Sequence, residues 1–204
     1  MSALPQASAT MTEAEYLAFE RRSEIKHQYL HGEVYAMTGA SRAHNLICTY
    51  ALASLATQMR HRKGEIYPGQ MRVKIPATGL YTYPDISVVC GEPKFADGEF
   101  DTLLNPALII EVLSPSTESF DRGRKFQHYR QLASLQEYVL ISQDSPRVER
   151  FLRQENADWV FTDAVGLESS LELPSIGCTL TLAGVYEKVT FEAGEQDTDP
   201  PQQA

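Results

Sequence analysis

The chain has 204 residues, of which 43% are hydrophobic, and carries 18 Lys and Arg against 27 Asp and Glu, a formal net charge of -9. That length suits one globular domain with tails, and the composition excludes collagen-like, coiled-coil and wholly disordered chains. A charge of -9 argues against a general nucleic-acid binder, yet the deficit lies at the ends, since residues 21–154 hold 17 bases against 14 acids.

Residues 1–11 and 191–204 lack periodic apolar positions, so both are expected to be disordered tails around a domain over 12–190. Thr12-Glu13-Ala14-Glu15 has the spacing of a capping box, in which hydroxyl and carboxylate satisfy each other's free backbone donors, and predicts a short first helix. The weak alternation between Lys26 and Thr38, split by His31-Gly32, predicts a hairpin whose second strand holds Glu33, Val34, Tyr35 and Met37. From Arg42 to about His61 the residues His44, Cys48, Ala51, Leu55 and Met59 recur every three or four positions, the mark of a core-facing helix.

After Gly64, the segment Glu65–Pro76 alternates Met71, Val73 and Ile75 with Gln70, Arg72 and Lys74. It predicts one half-buried strand with a charged face. Tyr81–Cys90 and Ala107–Leu113 are short β-branched runs and predict central strands, with an acidic loop between them. A second helix is expected from about Arg122 to Leu132, then strands at Glu137–Ser142 and Val148–Arg153, and more strand over Trp159–Glu187. The order of elements predicts an α/β (α+β) fold with a central mixed β-sheet flanked by helices.

Cys48, Cys90 and Cys178 are odd in number and widely spaced, which suggests neither a disulfide framework nor a zinc knuckle. With no signal-peptide pattern and no apolar run of about 20 residues, the expected setting is cytoplasmic, away from membranes. No Walker loop, nucleophile elbow or dinucleotide fingerprint is present.

Two residues carry the chemistry. An ionised carboxylate inside a central strand is expensive to desolvate, so it is kept when paired, protonated or bound to a metal. Asp85 and Glu111 are such carboxylates, Asp85 following a proline that marks a strand start or an edge. Adjacent carboxylates and a backbone carbonyl are hard oxygen ligands suited to Mg²⁺ or Mn²⁺, and Glu33 could supply a third carboxylate. The plain alternatives are a turn-capping Asp85 and a salt-bridged Glu111.

The strings YPDISVV (83–89), IIEVLSPST (109–117), DRGRKFQHY (121–129) and EYVLI (137–141), with LHGEVYAMTGA (30–40), resemble the Uma-two family of restriction-endonuclease-like proteins. That family is placed in the PD-(D/E)xK nuclease superfamily, and the resemblance spans about Thr12 to Glu187. It implies the restriction-endonuclease-like fold and a Mg²⁺- or Mn²⁺-dependent endonuclease acting on DNA, with Asp85, Glu111 and the Val112 carbonyl holding the metal and Glu33 as a further acidic group. Leu113 stands where the superfamily has its lysine; Lys125, on the following helix, matches the position that members of the family use instead. The plain alternative for Lys125 is a surface lysine paired with Asp121 four residues earlier. His44, Arg72 and Tyr129 are candidates to line the site, against the simpler readings of core histidine, solvated strand face and core aromatic. Arg42, Arg60, Arg62, Arg72 and Lys74 could build a basic groove beside it. Two other functions fit the same residues: a catalytically inactive scaffold that binds nucleic acid or oligomerises, and a metal-dependent phosphoesterase for a small substrate. A homodimer is expected if both strands of a duplex are cut.

Overall fold

The computed structural model describes residues 10–191. Its centre is a six-stranded sheet in the order β11-β10-β9-β8-β6-β3. The strands are β3 (Glu65–Pro68), β6 (Ile86–Val89), β8 (Leu108–Val112), β9 (Glu137–Ile141), β10 (Arg147–Arg153) and β11 (Trp159–Val165). β8 and β9 run parallel and the other neighbours antiparallel. A second sheet, β2-β1-β5-β4-β7, is formed by β1 (His27–Leu30), β2 (Glu33–Ala36), β4 (Arg72–Ile75), β5 (Leu80–Thr82) and β7 (Thr102–Leu103). The expected mixed sheet flanked by helices is therefore present, with a second sheet beside it.

β8 is buried along its whole length and alternates between two cores. Leu108, Ile110 and Val112 pack with Ile47, Ala51, Leu55 and Met59 of helix α2 (Arg42–Met59), as do residues of β12 (Ser170–Leu173), β13 (Cys178–Thr181) and α5 (Leu182–Val185). Ile109 packs on the opposite side with Leu113, Tyr129, Leu132, Tyr138 and Leu140. This is the period of two acting in a strand buried on both faces. The helical segment on that second side runs through α3 (Glu118–Phe120), a π-helical turn (Asp121–Lys125) and α4 (Phe126–Tyr129).

Helix α1 (Glu13–Glu20) starts where the capping box predicts: Thr12 accepts from the Glu15 amide, and the Glu15 carboxylate accepts from the Thr12 amide at 2.8 Å. Of the expected tails, residues 1–9 and 192–204 lie outside the described residues. Met11 already donates its amide to the Gly32 carbonyl, and Phe191 packs edge-on against Tyr186.

Several element boundaries differ from expectation. Glu65–Pro76 is two strands in two sheets, broken by a turn in which the Met71 amide bonds the Pro68 carbonyl. Tyr81–Cys90 is likewise β5 and β6, broken at Tyr83-Pro84-Asp85, because Pro84 has no amide to continue a ladder. The second helix begins at Glu118, ahead of Arg122, and the 91–105 loop holds β7. Within Trp159–Glu187 the chain closes with α5, so that stretch is not all strand.

Candidate functional site

The break at Pro84 sets the site. The β6–β8 ladder runs through Ile86↔Ile110, so its continuation puts Asp85 across from Glu111. With the ladder ended, the Val112 amide needs another acceptor, and Asp85 Oδ2 takes it at 2.8 Å. The same oxygen lies 3.2 Å from Nε2 of His44, one turn into α2. Nδ1 of that ring is 3.5 Å from Sγ of Cys48. One tautomer satisfies both contacts: Nε2–H donates to the carboxylate and Nδ1 accepts from the thiol.

Glu111 lies on the Tyr129 side of β8 and is 3% exposed. Its Oε1 accepts from Lys125 Nζ at 2.7 Å and from the Tyr129 hydroxyl at 2.7 Å. Lys125, 4% exposed, also contacts Asp121 Oδ1 at 3.1 Å. The i,i+4 pairing with Asp121 is real, but the lysine is no surface residue. Leu113 is buried against Ile109 and Leu140, so the strand position that the superfamily gives to lysine is filled by core packing. The π-helical turn, with Lys125 as its last residue, brings the ammonium to Glu111 instead.

One ammonium thus faces the carboxylates of Glu111 and Asp121 directly, with Asp85 nearby. Burial pushes the Glu111 carboxyl up to about 8; Lys125 pulls against this, while Asp121 and Asp85 add to it. Burial also opposes the charge on Lys125, yet Glu111 and Asp121 outweigh it and hold its pKa raised. The Tyr129 hydroxyl is pushed well up, first by burial and then by Glu111, and so remains a donor.

Among the described residues, no protein donor reaches Asp85 Oδ1 or Glu111 Oε2. Each carboxylate therefore has one oxygen tethered and one free. Two free carboxylate oxygens beside the Val112 backbone, in a cluster with more acids than bases, fit a hard divalent cation such as Mg²⁺ or Mn²⁺.

The structure brings together Asp85, Glu111, Val112, Lys125, His44 and Tyr129. It does not bring in Arg72, which is 2% exposed and whose guanidinium bonds Thr102, Tyr83 and Asp101. Tyr83 in turn donates to Glu20, which holds His27, so Arg72 belongs to a buried network that fastens α1 to the second sheet. The alternation that put Arg72 and Lys74 on one solvated face misled because that face is covered by α1. Glu33 is exposed on β2 and accepts from the Tyr35 hydroxyl, with no contact to Asp85 or Glu111 among the described residues.

Of the expected basic groove, Lys74 is paired with Glu13, and Arg62 donates to the Ile176 and Gly177 carbonyls. Only Arg42 and Arg60 of the five have exposed side chains without a charged or hydrogen-bonded partner among the described residues.

Four residues near the site escaped the sequence reading of chemistry. Asp121 stands out in the sequence only as an i,i+4 partner for Lys125. Cys48 had a legible signal, its i+4 spacing from His44. Lys26 had none: its ammonium bonds the Gly69 carbonyl at 2.6 Å, and its pKa is lowered by burial against the pull of Asp85 and Glu20. Gln143 donates to the Leu113 carbonyl at 2.5 Å and accepts from Ser41, the N-cap of α2.

Residues 13–183 match Uma2, a family described as "Putative restriction endonuclease". The chain belongs to this family of restriction-endonuclease-like nucleases. Two uncharacterized proteins of Synechocystis sp. are similar to it: one is 37% identical over 79% of this chain and 92% of its own, the other 34% identical over 87% and 92%. The fold is that of a crystal structure titled a putative nuclease belonging to DUF820, from Anabaena variabilis. That structure has a TM-score of 0.69 and 18% identity, and the match covers 86% of this chain and 97% of the other. No described helix is long and apolar enough to cross a membrane.

Proposed function

We propose that the chain is a Mg²⁺- or Mn²⁺-dependent endonuclease that hydrolyses phosphodiester bonds of DNA. The observation that carries this reading is the pair of tethered carboxylates, Asp85 and Glu111, each with one free oxygen, beside the buried ammonium of Lys125. Family membership supports it.

In this mechanism Asp85, Glu111 and the Val112 carbonyl would hold the metal. When bound, the ion polarises a scissile phosphate and acidifies a water at neutral pH. Lys125 keeps its proton, steadies the charge that develops on the phosphate and orients the attacking water. Tyr129 fixes Glu111 Oε1, and the Val112 amide with His44 fixes Asp85 Oδ2, so neither carboxylate has to find its rotamer when substrate arrives.

Plasmid nicking with Mg²⁺ or Mn²⁺ tests the reading. Asp85→Asn, Glu111→Gln and Lys125→Met are each expected to lower the rate by about 10² or more, by the usual weight of one electrostatic group. Equal rates in all four proteins would overturn it.

A second reading is favoured by the internal engagement of Arg62, Arg72 and Lys74, which leaves few cations for a duplex: metal-dependent hydrolysis of a small phosphoester. Turnover of a small phosphodiester that plasmid does not compete for would select it.

A further inference from the structure

The mechanism uses His44 only to hold Asp85 and has no role for Cys48. Yet one ligand atom from each of His44, Cys48 and Asp85 lies within 4.8 Å of the other two. We propose that these three residues form a binding site for a thiophilic divalent cation such as Zn²⁺, distinct in its chemistry from the hard-oxygen position between Asp85 and Glu111 but sharing Asp85 with it.

The geometry comes from the fold. His44 and Cys48 are four residues apart on α2, so both project from one face, one turn apart. That face meets the end of β6, where Asp85 sits. A zinc ion bonds imidazole nitrogen at about 2.0–2.1 Å and thiolate sulfur at about 2.3 Å, which sets a tetrahedral N···S edge of about 3.6 Å and an N···O edge of about 3.3 Å. The separations here are 3.5 Å for Nδ1···Sγ and 3.2 Å for Nε2···Oδ2. Both edges are close to these values, although they use different ring nitrogens. Because one ion takes one ring nitrogen, the proposed site requires the imidazole to turn about its own bond and the carboxylate to shift toward it.

The donor set selects the metal. Imidazole and thiolate suit Zn²⁺ and Co²⁺, whereas Mg²⁺ avoids sulfur and prefers oxygen and water. Three protein ligands leave the fourth position to water. The side chains of His44 and Asp85 are 16% and 20% exposed, which leaves an approach from solvent. Binding replaces the S–H bond of Cys48 with a metal–sulfur bond and releases that proton to solvent. Because Asp85 cannot serve both ions in full, Zn²⁺ and Mg²⁺ compete for it.

Co²⁺ serves as the spectroscopic probe on the full chain. The expected result is a thiolate-to-cobalt charge-transfer band in the near ultraviolet with intense tetrahedral bands in the visible, all displaced by Zn²⁺. Cys48→Ser is expected to abolish the charge-transfer band and weaken Zn²⁺ at least tenfold. The Cys90→Ser, Cys178→Ala double variant, which keeps Cys48 as the sole thiol, is expected to retain the band, and it decides the matter if Cys48→Ser does not fold. Weak octahedral bands in the wild type, a band that survives Cys48→Ser, or a band lost from the double variant would each overturn the site.

Glu111→Gln separates this inference from the nuclease reading, because it removes a hard-metal ligand and should leave the cobalt band in place; its loss there counts against a distinct site. The competition alone rests on that reading. Zn²⁺ should inhibit Mg²⁺-dependent nicking by the wild type at least tenfold more strongly than nicking by Cys48→Ser, and equal inhibition would overturn the competition while leaving the spectra to decide the binding.

Discussion

The ammonium of Lys125 and the carboxyls around it determine both what the site can do and what it costs the fold. Removing one partner of a buried ion pair leaves an uncompensated charge, at a typical cost of about 3–5 kcal/mol, so Lys125→Met should lower the melting temperature as well as the nicking rate. Adding Glu111→Gln to Lys125→Met should recover part of the stability, since Asp121 stays unpaired, and none of the activity, and thermal melts of the four proteins of this cycle check it. Glu111 also predicts a pH dependence. Its carboxyl titrates near 4.5 when unfolded and is pushed up to about 8 by burial when folded. Its contribution to stability is therefore complete below about pH 4.5 and is lost as pH rises toward 8. In chelator, the wild type should lose stability relative to Glu111→Gln over that window, by at least about 3 °C given the roughly 2–4 °C per kcal/mol expected at this size. The carboxylates were legible at this scale because a charge in an apolar run is conspicuous. Lys125 was not: in an exposed-looking DRGRK string nothing marks it as buried, and only the family resemblance singled it out. Arg72 is suggested by strand alternation and Glu33 by its place on the hairpin strand, and tertiary contacts take Arg72 elsewhere.

Among the elements, those with strong local signals were read well. The capping box placed α1 to the residue, and the 3.6-residue stripe placed α2 within two residues of its end. The break at Gly69 does not follow from the alternation of residues 70–75 extended back to Glu65, and the break at Pro84 carries a signal, the proline, that the β-branched run around it obscures; which sheet a strand joins depends on partners far away in the chain. The junction after α2 depends on Gly64. Its φ is +130°, and a Cβ there would lie 2.4 Å from the Val89 carbonyl oxygen. Gly64→Ala should therefore destabilise the protein by more than the roughly 1–3 kcal/mol of an unfavourable backbone conformation alone, because the β3–β6 pairing must move as well. Denaturant unfolding measures this directly.

For the whole molecule, the net charge of -9 first argued against nucleic acid, and its distribution then relaxed the objection. The fold brings part of it back. Charge along a chain does not show which cations are already engaged, and Arg62, Arg72 and Lys74 are. If DNA is bound, Arg62→Ala and Lys74→Ala should leave its affinity within about twofold. Arg42→Ala, at the start of the helix that carries His44, should weaken it and reduce the salt dependence by about one phosphate contact. Binding measured in Ca²⁺ at several salt concentrations distinguishes these outcomes. One small contact also bears on the molecule as a machine that is heated. Gln143, at the end of β9, joins the Leu113 carbonyl on the central sheet to Ser41 at the head of α2, and so ties the layer that carries Glu111 to the layer that carries His44. The layers themselves are held by the core that α2 shares with β8, and the tie fixes the first turn of α2, where His44 sits; with it intact, catalysis and global structure should fail at one temperature. In Gln143→Ala they should fail in sequence, activity fading several degrees before the tertiary circular dichroism signal, as expected of a region that can open by itself.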